Sequence, residues 1–238
     1  TKYDSYFPVY EELLSKYRSK RNVTLVEIGV FHGGSLFMWR EFLGPQARII
    51  GIDLNPAALQ WENHGFEIFI GDQGLESFWS EFYAKVEHVD IVIDDGGHTN
   101  RQQIVTAHHA IKNLSNDGLL IVEDIHTSYF REFGNPSKYS FLEFSRRIVD
   151  HINSRSCALR QTGQQYASRI YKVSYYESIV AFHINTRLSI RSSATHNSGR
   201  MLGVGDFRYS GRLSSALFKV KHRVARDKNI VAATIRKS

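Results

Sequence analysis

Two short apolar runs in this chain end in paired acids, and a histidine follows the first pair. Val89–Ile93 leads into Asp94-Asp95 and then Gly96-Gly97-His98; Leu119–Val122 leads into Glu123-Asp124. β-Branched runs of this length, separated by a helix-length segment, read as neighbouring buried parallel strands. In an open α/β sheet, ligands bind beyond the carboxyl ends of such strands. Four carboxylates gathered there repel one another unless positive charge sits between them. A Mg²⁺-type ion meets that need, because it prefers carboxylate oxygen and keeps positions for water or substrate. His98 would stand beside such an ion as a base. Acids at strand ends also serve as helix N-caps. Two acidic ends, a Gly-Gly turn and a histidine in register favour a site over that role.

The elements that must position these groups can be read around them. Val23–Val30 is a first buried strand, followed by a Phe31–Ser35 turn and a helix over Leu36–Phe42 that Gly44-Pro45 closes. Strand, glycine turn and helix together bring backbone N–H groups against a polar ligand. The spacing from Glu27 to Gly33 is E-x-G-x-x-x-G, without the G-x-G-x-x-G of dinucleotide binders. Ala47–Leu54 is a second strand, and Asp53 near its end suits hydrogen bonding to ribose hydroxyls. Phe66–Ile70 is a third strand, leading into Gly71-Asp72-Gln73. Helices are expected over Val9–Arg21, Phe78–Val86, Arg101–Leu114 and Phe141–Asn153. Ala167–Tyr175 and Ser178–Ile184 should pair as an antiparallel hairpin at one sheet edge. The alternation predicts an α/β, doubly wound, mostly parallel sheet, with Ile125–Tyr139 as a loop over the site.

The charge is unevenly placed. The chain has 238 residues and a net charge of +6. Residues 186–238 carry 12 of the 30 Lys+Arg and only Asp206 and Asp227 of the 24 acids, so this tail is +10 and the rest −4. The expected organisation is a domain over 1–185 and a basic extension over 186–238, part linker and part helix. Leu213, Leu217, Val220 and Val224 would share one face of that helix, with Lys219, Lys221, Arg223 and Arg226 beside it. Such a helix could lie on an anionic membrane surface or pack between copies of the chain. Nucleic acid is disfavoured, because aromatics there are few. The lone Cys157 cannot form an intrachain disulfide. No apolar run approaches the ~20 residues of a transmembrane helix. A cytoplasmic placement, membrane-peripheral at most, is expected.

The ordered segments V-E-I-G-V-F-H-G-G-S-L-F-M-W-R, I-I-G-I-D-L-N-P, I-F-I-G-D-Q, D-I-V-I-D-D-G-G-H and G-L-L-I-V-E-D-I-H-T-S-Y make the chain resemble class I S-adenosylmethionine-dependent methyltransferases. Within that superfamily it is most similar to the group of cephalosporin-hydroxylase-annotated proteins and macrolide-sugar and rhamnosyl O-methyltransferases. The likeness covers about residues 1–185. Gly97 stands where that group usually has Ser, which removes one hydroxyl and no proposed ligand. The resemblance implies a seven-stranded Rossmann-like sheet. It implies that Glu27, Gly29, Gly33 and Ser35 cradle the methionine side of S-adenosylmethionine, that Asp53 binds the ribose, and that Asp72 and Gln73 flank the adenine. It implies Mg²⁺ or Mn²⁺ on Asp95, Glu123 and Asp124, with His98 as general base; Asp94 is left between supporting its neighbours and touching the cofactor.

The expected activity is therefore metal-dependent O-methylation of a sugar hydroxyl on a glycosylated natural product, glycolipid or polysaccharide. The expected partners are that small-molecule or glycan acceptor and a second copy of the chain. Two alternatives stand beside it. One is a hydroxylase, which the group's naming suggests but which lacks a 2-His-1-carboxylate set. The other is a non-enzymatic protein of the cofactor-binding fold that uses its basic tail.

Overall fold

Along each inner strand, consecutive apolar side chains point to opposite faces, and both faces are covered. Leu25, Ile91 and Ile93 pack in one core layer, while Val26, Val92 and Leu120 pack in the other. The strands are β1 Thr24–Ile28, β2 Arg48–Asp53, β3 Glu67–Ile70, β4 Ile91–Asp94, β5 Leu119–Val122, β6 Ile170–Tyr176 and β7 Ile179–Ile184. The computed structural model describes residues 2–18, 20–134, 137–156, 166–191, 193 and 216. The chain divides into Thr1–Ser193 and Ala194–Ser238. Apart from Ala216, the expected basic helix around Leu213–Arg226 lies outside the described residues, as does Cys157. Among the described residues no helix is long and apolar enough to cross a membrane.

The seven strands lie in the order β3-β2-β1-β4-β5-β7-β6. All pairs from β3 to β5 are parallel; β5–β7 and β7–β6 are antiparallel. This is the doubly wound sheet with an edge hairpin that the sequence predicts. The hairpin's second strand, β7, sits inside against β5 and leaves β6 outermost. The chain leaves β1 toward β2 on one side and reaches β4 on the other. The crevice between the carboxyl ends of β1 and β4 is therefore the switch point where such sheets bind ligands.

Five helices complete the layers: α1 Tyr6–Leu14, α2 Gly34–Leu43, α3 Glu76–Lys85, α4 Asn100–Asn113 and α5 Phe141–Asn153. Helices α1 and α2 bury Tyr10, Leu14, Leu36 and Trp39 on one face. Helices α3, α4 and α5 bury Trp79, Phe82, Ile111 and Phe141 on the other. The first helix begins earlier and ends sooner than its expected Val9–Arg21 span. Pro8 is tolerated in its first turn because N–H groups there have no intrahelical acceptor. At its far end the chain tightens into a 3₁₀ turn at Ser15–Tyr17, and the Tyr17 hydroxyl donates to the Asp117 carbonyl at 2.7 Å. After β2 the chain forms a 3₁₀ segment over Pro56–His64; Asn55 caps it, its Oδ1 accepting from Ala57 N at 3.0 Å.

Candidate functional site

At the end of β1 the chain turns through Gly29, at φ 91°. A Cβ there would collide with the carbonyl oxygen of Asp95, so only glycine lets β1 and β4 close this tightly. Gly33, at φ 73°, opens α2 and presses its backbone onto the Trp61 ring. Buried Glu27 is held from two sides, accepting from Ser35 Oγ at 2.6 Å and from Trp39 Nε1 at 3.0 Å. Gly29 and Ser35 line a cavity of about 970 Å³, and Glu27 and Gly33 support them from behind its wall.

Asp53 and Asp72 also line that cavity. Asp53 Oδ2 accepts from the Val30 and Phe31 N–H groups at 2.9 Å each, and its Oδ1 from Asn55 N at 2.8 Å. Asp72 Oδ1 accepts from Gly74 N at 2.7 Å. Both carboxylates keep lone pairs for a ligand. Gln73 differs. Its amide donates to Asp94 Oδ1 at 2.8 Å and Thr106 Oγ1 at 3.0 Å, and its oxygen accepts from Gly97 N at 2.9 Å. That side chain lines the cavity too, while its amide braces the Asp94–His98 turn. Asp94 is buried within this brace, and burial raises its carboxyl above the usual range, against the Gln73 and Gly96 hydrogen bonds.

Asp95, His98 and Asp124 converge at the mouth. His98 Nε2 lies 3.5 Å from Asp124 Oδ2 and 3.8 Å from Asp95 Oδ1. One ligand atom from each lies within 4.8 Å of the others, a set able to hold a metal ion. His98 and Asp124 both adopt left-handed backbone, at φ 56° and 53°, a cost proteins accept mainly where a side chain must be aimed. Thr127 holds both turns, its hydroxyl lying 3.0 Å from the His98 carbonyl and 2.8 Å from that of Asp124. A second cavity of about 540 Å³ lies beside them, lined by Arg101, Glu132, Phe133 and Tyr139.

Glu123 stands apart from that trio. Its buried carboxylate accepts from Tyr10 OH at 2.6 Å and from Lys2 Nζ at 3.0 and 3.2 Å. Burial raises its carboxyl, and Lys2 opposes the rise. The Lys2 ammonium also donates to Asp95 Oδ2 at 2.9 Å and lies 3.4 Å from Glu27 Oε1. Burial would lower its pKa, but the three carboxylates outweigh that and raise it. Tyr6 OH donates to Asp124 Oδ1 at 2.5 Å.

Lys2, Tyr6 and Tyr10 are the site residues that sequence reasoning missed. A faint signal existed. Tyr6 and Tyr10 share one helical face at i, i+4, and a buried tyrosine hydroxyl needs a polar partner. Nothing in the spacing said that the partners were the strand-end acids more than a hundred residues away.

Comparisons with known proteins bear on the family and the fold. Residues 26–125 match the family model described as a methyltransferase domain. Demethylmacrocin O-methyltransferase from Streptomyces fradiae is 31% identical over 210 residues, covering 82% of this chain and 50% of that protein. Mycinamicin VI 2''-O-methyltransferase from Micromonospora griseorubida is 32% identical over 138 residues, covering 53% of this chain and 33% of that one. The chain thus spans half or less of the length of these curated relatives. A crystal structure of the MycE methyltransferase of mycinamycin biosynthesis, in complex with Mg and SAH, superposes with a TM-score of 0.68 at 25% identity, over 75% of this chain and 48% of that one.

Proposed function

We propose that this chain, which carries the domain of class I S-adenosylmethionine-dependent methyltransferases, transfers a methyl group to a sugar hydroxyl of a glycosylated natural product with the help of a divalent metal. The observation that carries this reading is the convergence of Asp95, His98 and Asp124 at the mouth of the cavity that Gly29, Ser35 and Asp53 line. The names of the relatives, which are sugar O-methyltransferases of macrolide pathways, support the acceptor class.

The residues fit both groups the reaction needs. The Glu27–Gly33 turn and Asp53 offer the carboxylates and close backbone approach that suit the amino-acid and ribose ends of S-adenosylmethionine. When bound, that cofactor supplies a sulfonium methyl open to in-line displacement. Asp95 and Asp124, with Glu123 as a third carboxylate, would hold Mg²⁺ or Mn²⁺. When bound, the ion supplies Lewis-acid stabilisation of negative charge on the acceptor oxygen.

The chain's own contribution is placement and proton transfer. The acceptor hydroxyl enters beside His98, on the side where Phe133 and Tyr139 line the second cavity. With the cofactor bound beside it, the hydroxyl oxygen would take the methyl carbon while sulfur kept the carbon–sulfur electron pair. Its proton passes to His98 Nε2, whose ring Thr127 and the left-handed turn aim into the mouth. Holding the two reactants in line accounts for much of the rate. A hydroxylase reading gains nothing here, since the cluster has one imidazole and two carboxylates.

The test is direct. Calorimetry with S-adenosylmethionine should show binding at micromolar to low-millimolar ligand. Incubation with Mg²⁺ and macrolide or rhamnosyl glycosides should yield a product one methyl group heavier by mass spectrometry. Absence of cofactor binding at millimolar ligand would remove the reading.

A further inference from the structure

The acid cluster already contains a cation, and it is part of the chain. Lys2 Nζ touches Asp95 Oδ2, both oxygens of Glu123 and, at 3.4 Å, Glu27 Oε1. Its side chain is only 8% exposed. An ammonium at these distances occupies the space between Asp95 and Glu123. Oxygen ligands of a Mg²⁺-sized ion lie at about 2.1 Å, so an ion shared by both carboxylates would sit in contact with Nζ. Two cations do not share that space: the repulsion is strong where water is excluded.

Between the Lys2 ammonium and the first helix the chain is exposed. Tyr3, Asp4 and Ser5 are all exposed, with Tyr3 at 57%. Packing begins only at Tyr6, in α1. The described contacts of the stretch before Tyr6 are the Lys2 ammonium with its three carboxylates and over the Tyr10 and Trp39 rings at 5.8 and 5.9 Å, an edge contact between the Tyr3 and Tyr6 rings, and one turn hydrogen bond from Tyr6 N to Tyr3 O. A lysine side chain swings on four rotatable carbons, and its charge is stable in water.

We propose that Lys2 and the divalent ion are alternative occupants of the Asp95–Glu123 carboxylate pair. This rests on the metal-dependent reading above. With Lys2 in place, the open ligand set is Asp95, His98 and Asp124. With Lys2 withdrawn, Glu123 joins Asp95 and Asp124, and His98 is left free to take a proton. Lys2 therefore keeps the carboxylates neutralised before loading, and loading both completes the metal site and frees the base.

The test compares Mn²⁺ binding, counted by electron paramagnetic resonance of the free ion, in the wild-type chain and Lys2→Met. The expected result is at least about tenfold tighter binding in Lys2→Met, because no ammonium has to be displaced. Equal or weaker binding would overturn the proposal and leave the metal reading standing. No binding in either protein would overturn both. A second measurement needs no variant. Acetylation of the wild-type chain by an amine-reactive ester, read by mass spectrometry, should label Lys2 poorly without metal. Labelling should rise several-fold when Mg²⁺ saturates the site, with Lys85 and Lys112 unchanged as references. Unchanged Lys2 labelling in a chain shown to carry the ion would overturn the displacement.

Discussion

Gly29 and Asp95 meet backbone to backbone where β1 and β4 end, with no room between them for a methyl group. The contact sets the width of the crevice, because the strands on either side are in fixed parallel register from Leu25↔Ile91 to Ile28↔Asp94. Gly29→Ala should therefore cost about 1–3 kcal/mol from the positive φ alone, and more from the collision. Cofactor affinity should fall with it, since the ends of β1 and β4, which carry Glu27 and Asp95, must splay. Chemical denaturation and calorimetry with S-adenosylmethionine check both; a variant with wild-type stability and affinity would show that the crevice tolerates widening.

Asp95 and Asp124 belong to both arrangements of the acid cluster, and Asp95 alone of the two also pairs with Lys2, which makes it the most informative metal ligand to remove. Asp95→Ala should lower Mn²⁺ affinity by at least about tenfold, no less than the loss of an outer-sphere partner. Metal-dependent turnover should fall in proportion. Cofactor binding should largely survive, because Glu27 and Asp53 are held by other partners. Full turnover in excess chelator, with the metal shown to be gone, would refute the site.

His98 is proposed to accept the proton, so His98→Ala should reduce turnover per folded molecule by about 10²–10⁴-fold. Its left-handed backbone complicates that variant. His98→Asn serves as the control, because Asn tolerates this conformation better than Ala does. Both should show the same loss of turnover while differing in stability. A folded His98→Asn with wild-type turnover would end the assignment.

His183 in β7 gives a pH signature unrelated to chemistry. Burial, then the nearby Lys172 and Lys16, push its imidazole down to about 4, while Ser174 Oγ lies 3.1 Å from its Nε2. The unfolded chain holds that proton near pH 6.5 and the folded chain does not. The unfolded state thus binds more protons below pH 6.5, and stability falls as pH drops from about 6.5 toward 4. Allowing for solvent screening of a partly exposed group, the loss is about 2 kcal/mol. Denaturation midpoints at pH 7.5 and 4.5 should differ less in His183→Gln than in the wild-type chain.

Much of this protein is legible without coordinates, and the reason is local. Strands β1, β2, β4 and β5 are runs of apolar residues buried on both faces, and hydrophobicity marks them whatever surrounds them. The expected α5 span, Phe141–Asn153, agrees residue for residue with the structure because Ser140 caps it and its apolar residues repeat at helical spacing. The strand-end acids and the glycine turn were equally visible, since their positions follow from where the strands stop. Pairings between distant segments were not. That Gln73 braces Asp94, that Glu123 turns toward Tyr10, and that Lys2 sits among three carboxylates each depend on contacts across 21 to 121 residues of chain. Side-chain direction at such contacts is decided by packing, in which α1 brings its tyrosine hydroxyls, and the stretch before it the Lys2 ammonium, onto the acids. The amino-acid sequence by itself determined which residues could do chemistry and on which strands they end; the tertiary structure alone decided which of those carboxylates face one another, because charges choose partners by distance and desolvation, neither of which a linear spacing records.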